Sequence, residues 1–224
     1  EGLKSFTCDL TVSVSDVYKK NLLDLGADQK LVDALDGHKM LLSVLTGGKN
    51  HITVVKPAPT GDSNFDDELK RQLLNIAENL KPVVDTWVGD VFKPGFDEDS
   101  FKNDCTVTNG SSGFTVVERN AHDGSILRMD YDPQAKLSKV TGMKNGITLL
   151  TVETNYSLQT KGYQLDSYSS DMSKANLVEA DSFYYGNVGG FILPMRIVKR
   201  AEMPPMVKKG TSITFDFSNY RLNQ

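Results

Sequence analysis

Histidine is the residue type in this sequence that could most readily act as a general base or metal ligand near neutral pH. The chain has three, namely His38, His51 and His122. Nucleophilic catalysis also needs a nucleophile and a group that orients the base, and no G-x-S-x-G segment presents a serine for that purpose. We therefore expect these histidines at the surface or at strand edges, and we predict no catalytic residue and no enzymatic activity.

The two cysteines, Cys8 and Cys105, are far apart in sequence from each other and from the histidines. Zinc sites place their ligands at short fixed spacings, so the sequence predicts no metal site and no cofactor. Two cysteines are too few for a disulfide framework. They fit either one bridge that closes a long loop or two buried free thiols, and the sequence leaves both possibilities open.

Asp130 and Asp132 lie two residues apart in a predicted strand, which would place both carboxylates on one face. Such a pair could serve a glycosidase, and hydrolysis of a glycosidic or ester bond is kept as an alternative function. Carboxylates of this kind more often point outward into solvent, which is the interpretation that we favour.

The segment 83–92 is more apolar than a water-facing helix surface would be. It must be covered by the sheet, by a bound molecule or by each in turn. Its large apolar side chains are Val83, Val84, Trp87, Val88, Val91 and Phe92.

Helical spacing predicts helices over 16–25 and 29–35 and a long helix over 66–92 that Pro82 would kink or split. Residues 6–14 alternate between apolar and polar, which is typical of a strand with one covered face. Residues 39–46 and 51–56 form a plausible hairpin. From Cys105 onward we expect a meander of nine strands, because turn signals recur between short strand-like runs. The nine runs are 104–108, 114–119, 125–132, 136–141, 147–155, 161–169, 177–185, 191–199 and 211–217.

The chain has 224 residues, a net charge of -4 and 24% charged residues, which excludes collagen-like, coiled-coil and wholly disordered chains and argues against a nucleic-acid partner. About a dozen strands in one sheet tend to curl because strands twist. The predicted fold class is therefore α+β, with a strongly curved antiparallel sheet or half-open β-barrel whose early helices plug or lid the concave face. We predict one domain over residues 1–224, with a helical insertion at about 62–95.

The C-terminal stretch 191–222 resembles the signature of the periplasmic lipoprotein carriers, the LolA-like outer-membrane lipoprotein-sorting family. An apolar strand runs into Pro194, a basic strand Arg196–Ile197–Val198 follows, and the tail Phe215–Asp216–Phe217–Ser218–Asn219–Tyr220–Arg221 closes the motif. The segments 131–137 and 3–6 are similar to the family's mid-sheet turn and first strand. The resemblance implies a half-open barrel that holds acyl chains under a helical lid.

These observations predict a non-enzymatic carrier of an amphiphile, either lipoprotein acyl chains or a lipid, with membrane-associated donor or acceptor proteins as further partners. We expect a periplasmic or cell-envelope location, with no signal peptide visible in this sequence. An envelope module whose cavity is filled by its own side chains is the alternative. The predicted gate is the helix around Pro82, and the predicted contacts are Trp87, Val84, Val88, Val91 and Phe92 from the helix and Phe6, Leu10, Val12, Leu127 and Met129 from the sheet.

Overall fold

The fold was analysed in a computed structural model that describes residues 3–45, 48–92, 104–120, 122–159 and 162–223. Over these residues the chain forms one antiparallel sheet of twelve strands together with three α-helices and a short 3-10 turn at Ser173–Ala175. The α+β class predicted from the sequence is confirmed.

The elements follow the predicted order along the chain, and most strands are longer than the sequence pattern suggested. The helices are α1 (Asp16–Asp24), α2 (Gln29–Leu35) and α3 (Ser63–Phe92). The strands are β1 (Phe6–Val14), β2 (Lys39–Val44), β3 (Asn50–Val54), β4 (Asp104–Gly110), β5 (Gly113–Arg119), β6 (Ile126–Tyr131), β7 (Leu137–Lys144), β8 (Ile147–Gln159), β9 (Gly162–Met172), β10 (Leu177–Val188), β11 (Phe191–Glu202) and β12 (Ser212–Leu222).

The strand order is β3-β2-β1-β12-β11-β10-β9-β8-β7-β6-β5-β4. Among the nine C-terminal strands, each one from β4 to β11 therefore neighbours the strand that follows it, which confirms the predicted meander. The N-terminal strand β1 completes the order by pairing with both β2 and β12. Strands β3 and β4 lie at the two ends of this order and do not pair with each other, so the sheet is not closed.

The residues group into two compact units. The first unit comprises 1–94, 183–200 and 210–224, and the second comprises 95–182 and 201–209. A single domain over the whole chain remains a prediction, and the two units are described separately below.

The first unit contains a dense apolar core beneath β1. Alternate residues of this strand are buried, as its period of two predicted. Helices α1 and α2 each begin at a polar cap, because the Ser15 hydroxyl accepts a hydrogen bond from the Tyr18 N–H and the Asp28 carboxylate accepts one from the Lys30 N–H. Gly26 follows α1 with φ +90°, which is a backbone conformation that ends a helix.

The predicted alternatives at Pro82 are a kink or a split, and helix α3 runs unbroken for 30 residues, so Pro82 does not split it and the kink stays a prediction. Proline removes one helical hydrogen bond, but Pro82 itself lies on the exposed side of the helix. Its neighbours Leu80 and Val83 are buried on the apolar stripe of the helix, and their packing holds the helix together across Pro82. The stripe begins at Leu69 and includes Leu73, Ile76, Ala77, Leu80, Val83, Val84, Trp87 and Val88.

The second unit is built from hairpins whose turns carry the predicted glycine signals. Asn145 and Gly146 join β7 to β8 with φ values of 52° and 74°, which is the left-handed geometry that a two-residue hairpin turn requires. Gly113 opens β5 with φ +131°, and a Cβ atom there would lie 1.9 Å from the Tyr131 carbonyl oxygen, so only glycine fits.

Candidate functional site

An apolar row crosses five neighbouring strands of the second unit. Cross-strand pairing places Val107 beside Val116, Val116 beside Met129, Met129 beside Val140, and Val140 beside Val152. Directly paired residues of antiparallel strands point to the same face, so these five side chains form one row on one face. We call the face that carries this row the second-unit apolar face.

Two further rows extend the second-unit apolar face. On one side, Phe114 pairs with Tyr131, and their rings stack with centroids 4.7 Å apart and 9° between their planes. On the other side, Leu127 pairs with Gly142 and Gly142 with Leu150, and this row ends on β5 at Glu118, which pairs with Leu127. Gly142 has no side chain, so β7 places no side chain between Leu127 and Leu150, and we call this gap the recess. A Cβ atom at Gly142 would be 3.5 Å from the Leu150 Cβ, which is an ordinary contact.

Most of this face is only half covered. Val116 is 3% exposed and Tyr131 8%, but Leu127, Met129, Val140, Leu150 and Val152 are half-buried and Val107 is 61% exposed. Aliphatic side chains in a packed sheet core are usually buried far more completely, as β1 of the first unit shows. Partly exposed apolar residues in contiguous rows are typical of a surface that receives another apolar body.

The opposite face of the same strands carries most of their polar and charged side chains, together with Val117, Ile126 and Met143. Lys139 forms an ion pair with Glu153 at 3.0 Å, and Arg128 forms one with Asp130 at 3.0 Å. Thr141 pairs with Thr151 on the same face, in the row that contains Arg128. This face therefore meets water, and the sheet of the second unit is amphipathic.

The second-unit apolar face ends in a polar row on β9 and β10. Tyr168 pairs with Thr154 on one side and with Asp181 on the other, and Asp181 is fully buried. Burial raises the pKa of Tyr168, and the charge of Asp181 and a hydrogen bond to it raise that pKa further. The Tyr168 hydroxyl therefore stays protonated at neutral pH and acts as a hydrogen-bond donor.

Sequence reasoning did not identify this polar row. The signal was available, because Asp181 is followed at alternate positions by the aromatic residues Phe183 and Tyr185. An acidic residue at an inward position of a strand indicates a hydrogen-bonded partner, since a buried carboxylate is costly without one.

The predicted helix contacts whose side chains are described and the predicted contacts from β1 are all buried in the first unit. Trp87 is 1% exposed, Val84 0% and Phe6 0%. The ring centroids of Phe6 and Trp87 lie 5.7 Å apart in an edge-on arrangement. Val88, Leu10 and Val12 are equally buried, whereas the side chains of Val91 and Phe92 lie outside the described residues. The predicted contacts Leu127 and Met129 belong to the second unit, so the ten predicted residues do not form one cluster within either unit.

A polar contact fastens α3 to the neighbouring strand β3. The Asn50 side-chain amide donates a hydrogen bond of 2.7 Å to the Asp85 carboxylate, and Lys81 donates one of 2.8 Å to the same group. Burial alone would raise the pKa of Asp85, but the hydrogen bonds from Lys81 and Asn50 outweigh it and lower this pKa. Asp85 thus stays ionised and holds the helix in place at neutral pH.

Asp130 and Asp132, the carboxylates that the sequence offered as a pair, each accept hydrogen bonds from neighbouring groups. Asp130 is half-buried and accepts hydrogen bonds from Arg128 and Thr115, which lower its pKa against the effect of burial. Asp132 lies beyond the end of β6, where its carboxylate accepts hydrogen bonds from the Gln134 and Lys136 N–H groups of a turn. The prediction that the two carboxylates share a strand face is therefore wrong, because β6 ends at Tyr131 and Asp132 belongs to the turn that follows it.

The histidines and cysteines are not gathered into a cluster. His51 and His122 are exposed, and a ring nitrogen of His38 lies 2.8 Å from the Val55 carbonyl oxygen. Cys8 and Cys105 are free thiols, the first buried and the second half-buried, so no bridge joins them. Within the described ranges, no three His, Cys, Asp or Glu side chains are arranged to hold a metal ion.

The C-terminal motif that carries the family resemblance has a packing role in the first unit. The Tyr220 hydroxyl donates a hydrogen bond to the Pro194 carbonyl oxygen and is also hydrogen-bonded to Cys8. The Tyr220 ring lies 5.6 Å from the ring of Phe6. These contacts join β11, β12 and β1, so the motif specifies the fold of the first unit rather than a site.

No family model matches the chain, and no curated protein matches it. None of the helices in the described part of the chain is long and apolar enough to cross a membrane. The candidate site is therefore defined by its geometry alone: an amphipathic sheet with a recessed, half-covered apolar face that ends in a polar row.

Proposed function

We propose that this protein is a non-enzymatic binder and carrier of an amphiphile, with the acyl chain lying on the second-unit apolar face. The observation that carries this proposal is the half-exposed recess at Gly142, between Leu127 and Leu150 and beside the row that contains Met129. Both sheet residues that the sequence predicted as contacts in this half of the chain, Leu127 and Met129, line it.

The driving force would be the removal of methylene groups from water. Each buried methylene contributes about 0.8 kcal/mol, so about ten of them supply about 8 kcal/mol, which corresponds to a micromolar dissociation constant before the cost of ordering the chain. The polar row suits the other end of an amphiphile. Tyr168, Thr154 and Ser170 carry hydroxyl oxygens that can accept hydrogen bonds from such a headgroup. The O–H groups of Tyr168 and Thr154 are themselves used, the first toward Asp181 and the second toward the Leu137 carbonyl oxygen.

The first unit has a different role in this proposal. Its helix α3 is the predicted gate, but in the closed state Trp87, Val84 and Val88 fill the space that a ligand would need. We propose that α3 stays closed and that the second unit alone contacts the acyl chain. A curved, half-open barrel, an envelope location and membrane-associated donor or acceptor proteins are parts of the same proposal, supported by the resemblance of residues 191–222 to lipoprotein carriers.

The test is binding of a fluorescent fatty acid to the full chain, followed by displacement with unlabelled fatty acid. Gly142→Val fills the recess, and the backbone of Gly142 is outside the left-handed region, so valine is tolerated there. We expect the dissociation constant of the Gly142→Val variant for the fluorescent fatty acid to rise at least about tenfold. Thr141→Val is the control, because it places a valine at the neighbouring position of the same strand, on the polar face.

A second pair of variants tests the same face with a charge. Val152→Lys places an ammonium group in the apolar row, and Thr151→Lys places one on the opposite face of β8, opposite Asp171 on β9. Only the first is expected to weaken binding. Native mass spectrometry of the purified protein should show a co-purified amphiphile. Equal affinities for all four variants, or no affinity in the unaltered protein, would contradict the proposal.

The near-complete burial of Trp87 favours one second candidate, an envelope module whose interior is filled by its own side chains. This candidate predicts that the purified protein carries no amphiphile and does not bind the fluorescent fatty acid. It also predicts that Gly142→Val leaves function unchanged, because the recess then has no occupant.

A further inference from the structure

Strand β4 lies at one end of the strand order, and in the described part of the chain no strand pairs with its outer side. An open strand edge is a template for pairing with another chain, and proteins usually protect it with charge, proline, a bulge or a short length. The opposite edge, β3, has five residues and is tied to α3 through Asn50. Strand β4 has seven residues, pairs with β5 without a register shift, and contains neither lysine nor proline.

The hydrogen-bond phase of β4 follows from its hairpin. Residues 111 and 112 form the turn, and Gly110 pairs with Gly113 on either side of it, so this pair exchanges hydrogen bonds. Because hydrogen bonding alternates along an antiparallel pair, Asp104, Thr106 and Thr108 also bond to β5. The backbone N–H and C=O groups of Cys105, Val107 and Asn109 therefore point away from β5, toward the open edge.

These outward groups complement a second copy of themselves. In an antiparallel arrangement centred on Val107, the two Val107 residues face each other and Cys105 of each copy faces Asn109 of the other. Two hydrogen bonds form at each of these three residue pairs. Asp104 then lies opposite Gly110, so no like charges meet across the contact.

We propose that two copies of this chain associate through β4, paired antiparallel about a two-fold axis at Val107. The side chain of Val107 supports this partner, because it is 61% exposed and lies at the end of the row formed by Val116, Met129 and Val140. Pairing joins that row to the same row of the second copy and covers both Val107 side chains. The contact is isologous, so it closes at two copies and forms no fibre.

The first experiment measures mass by analytical ultracentrifugation over about a hundredfold range of concentration. We expect the unaltered protein to approach twice its chain mass of 24.7 kDa. Val107→Lys places two ammonium groups opposite each other and should raise the dissociation constant of the dimer at least about tenfold. Val107→Thr keeps the shape and the backbone groups and should leave the dimer in place.

A proline variant separates the backbone contact from the side chain. Val107→Pro removes an N–H group that points to the edge, whereas the bonds from β4 to β5 do not use it. It should be monomeric with an unchanged circular dichroism spectrum. If Val107→Pro fails to fold, Val107→Lys decides the same point, since an exposed side chain is changed without loss of a hydrogen bond.

Cross-linking tests the register. Asn109→Cys places a thiol opposite the native Cys105 of the second copy at about 5.5 Å between Cα atoms, which suits a disulfide, so mild oxidation should give a covalent dimer. Thr108→Cys is the control and should not cross-link, since it lies on the other face opposite Thr106. A monomer at every concentration, a dimer that survives both Val107→Lys and Val107→Pro, or equal cross-linking of the two cysteine variants would overturn the proposal. None of these outcomes depends on amphiphile binding.

Discussion

Trp87 should behave as a fixed core side chain rather than as part of a mobile gate, and the change Trp87→Ala tests this. Trp87 is 1% exposed and packs edge-on against Phe6 with ring centroids 5.7 Å apart. Replacing a buried tryptophan by alanine leaves a large cavity, which costs about 3–5 kcal/mol. We therefore expect the free energy of unfolding to fall by about that amount.

Trp87→Phe is the matched control. The Trp87 indole N–H has no hydrogen-bond partner among the described residues. A buried donor without a partner costs about 1–3 kcal/mol, and phenylalanine removes that cost while it keeps an aromatic ring in place. The loss of packing volume and the removal of the N–H group therefore have opposite effects on stability. We expect the free energy of unfolding of Trp87→Phe to lie within about 1 kcal/mol of that of the unaltered protein.

The assay is urea denaturation followed by far-UV circular dichroism, since both variants remove the only tryptophan of the chain. In the unaltered protein the fluorescence of Trp87 provides a second measurement: its emission should stay blue-shifted and protected from iodide when a fatty acid binds. A loss below about 1 kcal/mol for Trp87→Ala would refute the packing argument. A red shift on fatty-acid binding would show instead that α3 opens.

Three further changes probe the first unit. Pro82→Ala should raise the free energy of unfolding by about 1–3 kcal/mol, because Pro82 is exposed and alanine restores a helical hydrogen bond; a lower urea midpoint would contradict this. Ser15→Ala should lower the thermal midpoint through a loss of about 1–2 kcal/mol, since the Ser15 hydroxyl accepts from Tyr18 and also from the Ser212 N–H; an unchanged midpoint would count against the cap. Burial raises the pKa of the Cys8 thiol from 9.0 to about 12, despite the hydrogen bond with Tyr220, so the unfolded chain loses this proton first. The stabilisation is fully present below pH 9 and is lost as the pH rises toward 12, at up to about 1.4 kcal/mol per pH unit. In Cys8→Ala the free energy of unfolding, measured by urea titration, should lack this fall above pH 9. The same pH dependence in both proteins would disprove the assignment to Cys8.

Local patterns in the sequence predicted most of the fold because the forces that set them are local. The period of two in β1, the apolar stripe of α3 and the turn glycines each reflect one residue's immediate environment. Strand lengths were underestimated, as in β8, which continues to Gln159 through the polar residues Asn155 and Ser157. Polar residues on the water-facing side of a strand carry no burial signal, so only pairing with a neighbouring strand extends it.

Pro82 shows where local preference fails. Proline disfavours a helix interior by about 3 kcal/mol, which predicts a break. The buried side chains Leu80, Val83 and Val84 flank it on the stripe, and their burial depends on the sheet beneath them. Information about that sheet lies in residues far away in the sequence, and no local pattern contains it.

The candidate site was predictable in its residue types but not in its grouping. Alternation placed Leu127 and Met129 on one face correctly, because the strand is regular up to Asp130. The same alternation failed for Asp132, since β6 ends at Tyr131 and Asp132 lies in the turn that follows. No pattern showed that Trp87 and Met129 would belong to different compact units.

Gly142 gives the strongest reason to regard the second-unit apolar face as a binding surface. Glycine in a strand costs conformational entropy, contributes no apolar contact and usually marks a bulge or the close approach of another group. A register shift does follow Gly142, but its φ is outside the left-handed region, so the backbone there accepts other residues. A Cβ atom would also fit, at 3.5 Å from Leu150. A face that served only as core would gain stability from a side chain at this position, whereas a face that receives an acyl chain needs the recess open.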